Sequence, residues 1–400
     1  MIANFLDAYG INREIAALSI ARLADAMGNS ILVVIIPLYV VKLSTPSIPE
    51  SLLVGLLISV YGFVFTILQP FTGAMSDRLD RRKAFILGGL IVMAVSTFSF
   101  NFATSFTHLI IIRTLQGLGV ALTVPASLAV LAEGTSRQSR GGSMGFYTTL
   151  RMVGFAIGPL LGGYLQVRHG FQSAFLAGTA LLIVGAVLVQ FWVHDRPART
   201  EKVIRYRILD RRLLGDGIVY LGIAMFLMAS AFSMMAALEN EFNLRLQQTA
   251  LGFGIAFSAL TVSRLIFQLP FGRVSDLIGR RPIIIAGLIA LAPATALLGY
   301  VTSTLQLTGA RAFQGLATAA IAAPAFALAG DISIRGGEGQ QMSILAMGFG
   351  LGIAAGPIIA GSLAVIRFEL PFLVGALLCL VGAWIVYGHV PEPNNSSDEG

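Results

Sequence analysis

The chain has 400 residues, of which 56% are hydrophobic and 12% charged, where a soluble domain carries about 25% charged residues. So few charges cannot cover the surface of a water-soluble globule, which excludes that class. One cysteine, Cys379, excludes an intrachain disulfide and a cysteine metal cluster.

The first 14 residues are mixed and polar and run straight into an apolar stretch, so no cleavable leader is expected. Twelve apolar segments follow, roughly 15–41, 52–72, 84–103, 107–132, 142–166, 171–193, 213–237, 247–271, 283–302, 306–330, 340–364 and 371–389. Each is expected to be a helix, because an isolated strand cannot satisfy its backbone in lipid. An even number of spans places both termini on one side. Connections on that side hold Arg13, Arg78, Arg81, Arg82, Lys83, Arg137, Arg140, Arg273, Arg280, Arg281, Arg335 and the basic stretch 194–212. Those on the other side hold only Lys42, Arg168, Arg245 and Arg367. The positive-inside rule makes the termini cytoplasmic in a cell (inner) membrane. The net charge of +7 then reflects topology and contact with membrane lipids, not nucleic acid. Residues 1–193 and 213–390 form two halves, 194–212 a cytoplasmic linker, and 391–400 a polar tail expected to be disordered.

The halves repeat one another. Gly73-Ala-Met-Ser-Asp77-Arg-Leu-Asp-Arg81-Arg82 returns as Gly272-Arg-Val-Ser-Asp276-Leu-Ile-Gly279-Arg280-Arg281, offset by 199. Arg113-Thr-Leu-Gln116-Gly117 returns as Arg311-Ala-Phe-Gln314-Gly315, offset by 198. Gly158-Pro159 with Gly163 returns as Gly356-Pro357 with Gly361, and Glu133 has its partner in Asp331, again at 198. Duplication inside a hydrophobic chain marks a secondary transporter.

These motifs resemble those of the major facilitator superfamily, and among its branches the twelve-helix drug/proton antiporters, over about residues 15–390. The resemblance implies an all-α membrane protein of twelve transmembrane helices in two pseudo-symmetric six-helix bundles, with the substrate near the midplane. It implies that the loop motif latches the outward-facing state, with Asp77 capping the N-terminus of another helix. Arg81 and Arg82 would reach Glu133, and Arg280 would reach Asp331. Asp80 stands where Gly279 stands in the other copy, and a positive φ suits it less well, so a looser first latch is expected. Arg113 is tied by the resemblance to proton coupling, with Gln116 one turn on to hold it, whereas Arg311 is expected to be structural. Gly154, Gly158, Pro159 and Gly163 resemble the antiporter motif that seals an export cavity. The echo at Gly356 and Pro357 equally fits close packing alone.

Asp25 is the one acid well inside a span, roughly 15 Å deep at 1.5 Å per residue. Two readings stay open: a proton carrier, or a charge neutralised locally by Arg22 on the same face. Arg151 lies at a similar depth. Arg22, Arg113, Arg151, Arg264 and Arg311 face that single aspartate, so the cavity is expected to be positive and to take an anionic or zwitterionic amphiphile. Asn29, Gln116 and Gln314 complete the candidate cavity. Nothing resembles a nucleotide-binding loop, the histidines lack metal spacing, and no nucleophile stands with a base, so no metal, cofactor or enzymatic role is expected. The function read from these residues is proton-coupled export of a small molecule by alternating access, by a monomer. The alternatives are a proton-independent uniporter or an uptake symporter of an organic anion, and, in another class, a sensor or scaffold without a transport cycle.

Overall fold

The structure is a computed structural model that describes residues 11–43, 48–135, 139–195, 216–333 and 338–392. Most of the expected linker, and the tail after Glu392, lie outside the described residues. Among the described residues, twelve helices are long and apolar enough to cross a membrane. The first bundle holds α1 (Arg13–Leu43), α2 (Glu50–Leu79), α3 (Arg82–Ser99), α4 (Phe106–Gly134), α5 (Arg140–His169) and α6 (Phe171–Trp192). The second holds α7 (Asp216–Ser233), a short α8 (Glu239–Leu246), α9 (Ala250–Ile278), α10 (Arg280–Leu297), α11 (Thr304–Ile332), α12 (Glu338–Ala364) and α13 (Leu370–His389). The helix α8 was not anticipated: its eight residues fall in a connection between spans. The tail does not begin free, since the backbone N–H of Arg281 donates to Glu392 at 3.4 Å.

The bundles repeat one packing plan. In the first, α1 lies along α5 and α6, α4 along α2 and α3, and α3 along α6. In the second, α7 lies along α12 and α13, α11 along α9 and α10, and α10 along α13. The bundles join through α2 with α12 and α5 with α9. Both joints have the same chemistry. The Pro357 carbonyl sits against Gly55, and the Pro159 carbonyl against Gly254, where an added Cβ would lie 2.5 Å from that oxygen. Helix backbones approach this closely only where one residue lacks a side chain. Proline supplies the other component, because it breaks the helical hydrogen-bond ladder. Around it, the N–H of Ile358 donates to Ser59 Oγ at 3.1 Å, and Ser51 Oγ donates to the Gly361 carbonyl at 3.1 Å.

All these contacts lie toward one end of the bundles, opposite the termini, called here the far end. Ser51, Gly55 and Ser59 occupy the first turns of α2, and Gly163 meets Ala250 and Leu251 at the start of α9. A single apolar cluster there contains residues of both bundles, among them Ile35, Leu53, Phe175, Phe242, Phe253 and Phe372. Toward the terminus end, apolar clusters stay within one bundle.

Leucine at Gly254 overpacks the joint, at a cost of about 1–3 kcal/mol. Gly254→Leu should lower the thermal-shift midpoint of the detergent-solubilised protein. Gly88→Leu, where an added Cβ meets nothing within 4 Å, should leave it unchanged.

Candidate functional site

The charges of α1 form one strip. Arg22 Nη1 pairs with Asp25 Oδ2, one helical turn away. Asn29, a further turn on, donates from Nδ2 to Asp25 Oδ1 at 2.6 Å and to its carbonyl at 3.1 Å. Arg22 and Asp25 are 7% and 2% exposed. Arg22 Nε and the buried hydroxyl of Tyr147 on α5 have no hydrogen-bond partner, and Tyr147 lies within electrostatic reach of Arg22.

Arg113 makes no contact with Asp25. Its guanidinium stacks over Tyr61, 4.2 Å from the ring centre, and its Nη1 donates to Gln116 at 3.0 Å. Gln116 in turn donates to Thr97 at 2.9 Å. Arg311 repeats this wiring: Nη1 to Gln314 at 2.7 Å, and Gln314 to Thr295 at 2.9 Å. The glutamine–threonine relays match, and the rest differs: Arg113 lies over Tyr61 and its Nε donates to the Leu57 carbonyl at 3.5 Å, whereas Arg311 lies over Phe257, its Nη1 also donates to the Phe232 carbonyl at 3.0 Å and its Nε has no partner. Tyr61 is within reach of the charges of Arg113, Asp25, Arg22 and Arg151, so it joins the Arg113 network to the α1 strip. Tyr61 and Tyr147 carry no motif and were missed in the sequence. Thr97 and Thr295 stand 198 apart, an offset that could have found them.

Arg151 and Arg264 are different. They come from opposite bundles, on α5 and α9. Each packs against an aromatic ring, Arg151 on Phe155 at 5.4 Å and Arg264 on Phe349 at 5.6 Å. The Nε of each has no hydrogen-bond partner, nor has the Gln268 carbonyl oxygen one turn from Arg264. Among the described residues no ion pair involves either arginine, and each lies within reach of the other's charge. Two guanidinium groups with unused donor capacity thus stand on neighbouring helices of the two bundles.

At the terminus end the loop motif closes the same way in both copies, with a correction to its register. Arg82, not Arg81, is the pairing residue: it binds Asp77 at 3.2 Å and Glu133. Arg280 binds Asp276 at 3.3 Å and Asp331. The first copy therefore has one more residue between acid and arginine than the second. Asp80 absorbs it at φ 51°, and Gly279 turns at φ 109°. Aspartate tolerates the left-handed region through its short polar side chain, so both copies form the same two ion pairs. Asp77 bonds within its own bundle, not to the start of another helix. Arg281 instead donates to the carbonyls of Val386, at 3.3 Å, and Tyr387 in the last turn of α13.

The glycine–proline motif does two jobs. Gly154 and Gly158 face α1, where Ser30 Oγ donates to the Gly154 carbonyl at 3.2 Å, while Pro159 and Gly163 face α9. Gly356 faces Ser230 and Ser233 of α7 in the same way, and Pro357 faces α2. Since both copies do both jobs, the motif serves packing in each bundle.

Residues 18–264 and 221–400 match the family described as the Major Facilitator Superfamily. The multi-drug resistance efflux pump PmrA homolog of Lactococcus lactis is 24% identical over 342 residues, 84% of each chain. The synaptic vesicular amine transporter of Homo sapiens is 26% identical over 79% of this chain and 62% of its own length. Among solved structures, a bacterial homolog of the human lysosomal transporter Spinster, in an inward-facing and occupied conformation, superposes with a TM-score of 0.78 at 14% identity. That match covers 93% of this chain and 95% of the other. The human organic anion transporter MFSD10 superposes with a TM-score of 0.67 at 20% identity, covering 94% of this chain and 99% of its own.

The register of the loop motif is testable without a substrate. Exposed ion pairs are worth up to about 1 kcal/mol, or about 5-fold in local opening. Arg82→Ala should raise hydrogen–deuterium exchange across residues 77–85 by that order, and Arg81→Ala should leave it unchanged.

Proposed function

The chain belongs to the Major Facilitator Superfamily and is a transporter of that type, and from that premise we propose that it exports a small amphiphilic anion by proton-coupled alternating access. The observation that carries the substrate class is the pair Arg151 and Arg264, each with a buried Nε that has no hydrogen-bond partner and, among the described residues, no ion pair; Asp25, the acid within reach of the Arg151 charge, is itself paired with Arg22. An unpaired charge in the membrane interior is costly unless a ligand completes it. An anion held between the two completes both. The rings of Phe155 and Phe349 beside them suit an apolar body on the same ligand. Because the arginines belong to different bundles, such a ligand touches both, and its binding favours the arrangement that brings them together. One chain supplies the whole site, so a monomer suffices. The human protein described as an organic anion transporter shares the fold, and efflux pumps among the relatives support export.

The termini are assigned to the cytoplasm by the excess of arginine and lysine at that end. With the bundles joined at the far end, this state is closed to the outside. Asp25 is the proposed proton carrier, and Arg113 acts on it electrostatically through Tyr61.

One contact favours a second reading of the coupling. Asp25 is paired with Arg22, so a proton on Asp25 releases a guanidinium for the anion. Proton and anion then assist each other's binding, and by linkage the two move together, not in exchange.

Reconstituted proteoliposomes separate these readings. With anionic and cationic amphiphiles offered in turn, Arg151→Ala and Arg264→Ala should each reduce anion flux by about 10-fold or more, as expected for loss of a charge-assisted hydrogen bond. A preference for monovalent cations, untouched by either substitution, would overturn the anion reading. Asp25→Asn should abolish accumulation against a gradient while substrate counterflow persists, and full accumulation by that variant removes Asp25 from the role. As anion leaves the lumen, exchange acidifies it and cotransport makes it alkaline.

A further inference from the structure

The far end holds an acid that the central site does not use. The helix α8 follows the last turn of α7 and has no helical counterpart among the described residues of the first bundle. It is wedged against α1. Asn240 Nδ2 donates to the Pro37 carbonyl, across the bundle boundary, at 3.0 Å. Phe242 enters the apolar cluster that contains Val40 and Leu57 of the first bundle and Phe368 and Phe372 of the second. Glu239 begins this helix. It is 0% exposed, and neither of its carboxyl oxygens has a hydrogen-bond partner. Asn243, one turn on, is the polar side chain that faces it, near enough to favour its charged form in part but short of hydrogen-bond geometry.

The other charges nearby answer to one another. Glu241 lies within reach of Glu50 on α2 and of Arg245. Arg245 pairs with Glu369 at 3.2 Å and stacks over Phe368. Among the described residues no cation faces Glu239. The N-terminus of a short helix is a small effect beside complete loss of water around a carboxylate.

We propose that Glu239 is the proton-binding group of the far-end gate: protonated while the bundles are closed there, ionised and hydrated once they part, so that acid on that side closes the gate. The proposal rests on the alternating-access reading and needs neither the anion nor Asp25. The proton comes from far-side water and returns to it, so Glu239 biases the conformation without carrying a proton across. Burial pushes the closed-state carboxyl well above the usual carboxylate range. In the open state it titrates in the ordinary range. Between those two values the closed state binds one more proton than the open state. Closure is therefore favoured as pH falls through that window and is lost as pH rises through the closed-state value.

Spin-label distances across the far end read this directly. Arg168→Cys on α5 and Leu305→Cys on α11 are exposed positions in different bundles, and Cys379 is buried. In the otherwise native chain, the ratio of short to long distances should rise by about tenfold for each pH unit lowered within the window. Glu239→Gln and Glu239→Leu, neutral at every pH, should hold the short distance and show no pH response. Leucine suits the apolar surroundings and covers the case in which the glutamine variant does not fold. A native pH response surviving in both variants overturns the proposal, as does a distance that moves with ligand but never with pH. A distance that moves with neither overturns alternating access as well.

Discussion

Two bundles of apolar helices have little reason to hold together in lipid, where burying hydrocarbon gains nothing. Here they are held by close backbone contact at two equivalent points. The Pro159 carbonyl meets Gly254, and the Pro357 carbonyl meets Gly55. The contact requires a helix broken by proline on one side and a residue without a side chain on the other. Everything else in the arrangement follows from where these points lie. Because both are toward the far end, the bundles close there. Glu239 and Phe242 are sealed in, while Arg151 and Arg264 keep Nε groups without a partner.

The buried arginines divide along the symmetry. Arg113 and Arg311 have the same partners at equivalent positions, a glutamine three residues on and a threonine beyond it. A relay repeated in both halves suits the fold that both halves share, and Tyr61 beneath Arg113 is what sets the first copy apart. Arg22, Arg151 and Arg264 have no such equivalents; an Nε without a partner is common to these three and to Arg311, whose Nη1 donates to Gln314 and the Phe232 carbonyl. Desolvating a guanidinium without satisfying it is the more expensive condition, and a chain keeps it where a ligand returns the cost. The proposed substrate and proton sites accordingly sit on what is not duplicated, and the acid at α8 fits the same pattern.

Much of this was legible in the sequence, and the failures have physical causes. Hydropathy gave twelve spans because the bilayer imposes a length that few other constraints mimic. The duplicated motifs gave the bundle symmetry. The choice between Arg81 and Arg82 was not legible, since tandem arginines satisfy the same motif and only the turn at Asp80 decides which one reaches Glu133. The pairing of Asp25 with Arg22 was visible as spacing, because residues one helical turn apart share a face. Glu239 was invisible for the opposite reason. An acid between two spans reads as a solvated loop residue, and its burial depends on α8 being clamped to Pro37, a contact made 203 residues away in the chain.

The same symmetry constrains how the loop motif can act. An interaction favours one conformation only by differing between conformations. The pairs Arg82–Glu133 and Arg280–Asp331 each lie within one bundle. If bundles rock as rigid bodies, such pairs contribute equally to both states and select neither. They fix the loop, so that Asp77 and Asp276 stand at a defined place on the terminus end. Those two aspartates are also held weakly, at 3.2 and 3.3 Å, and are 53% and 60% exposed. Their present bonds are cheap to exchange. A bond so easily exchanged is what the expected cap on a helix N-terminus would require of an aspartate. Were the aspartates to make that exchange, they and not the arginine–acid pairs would be what discriminates between the two states.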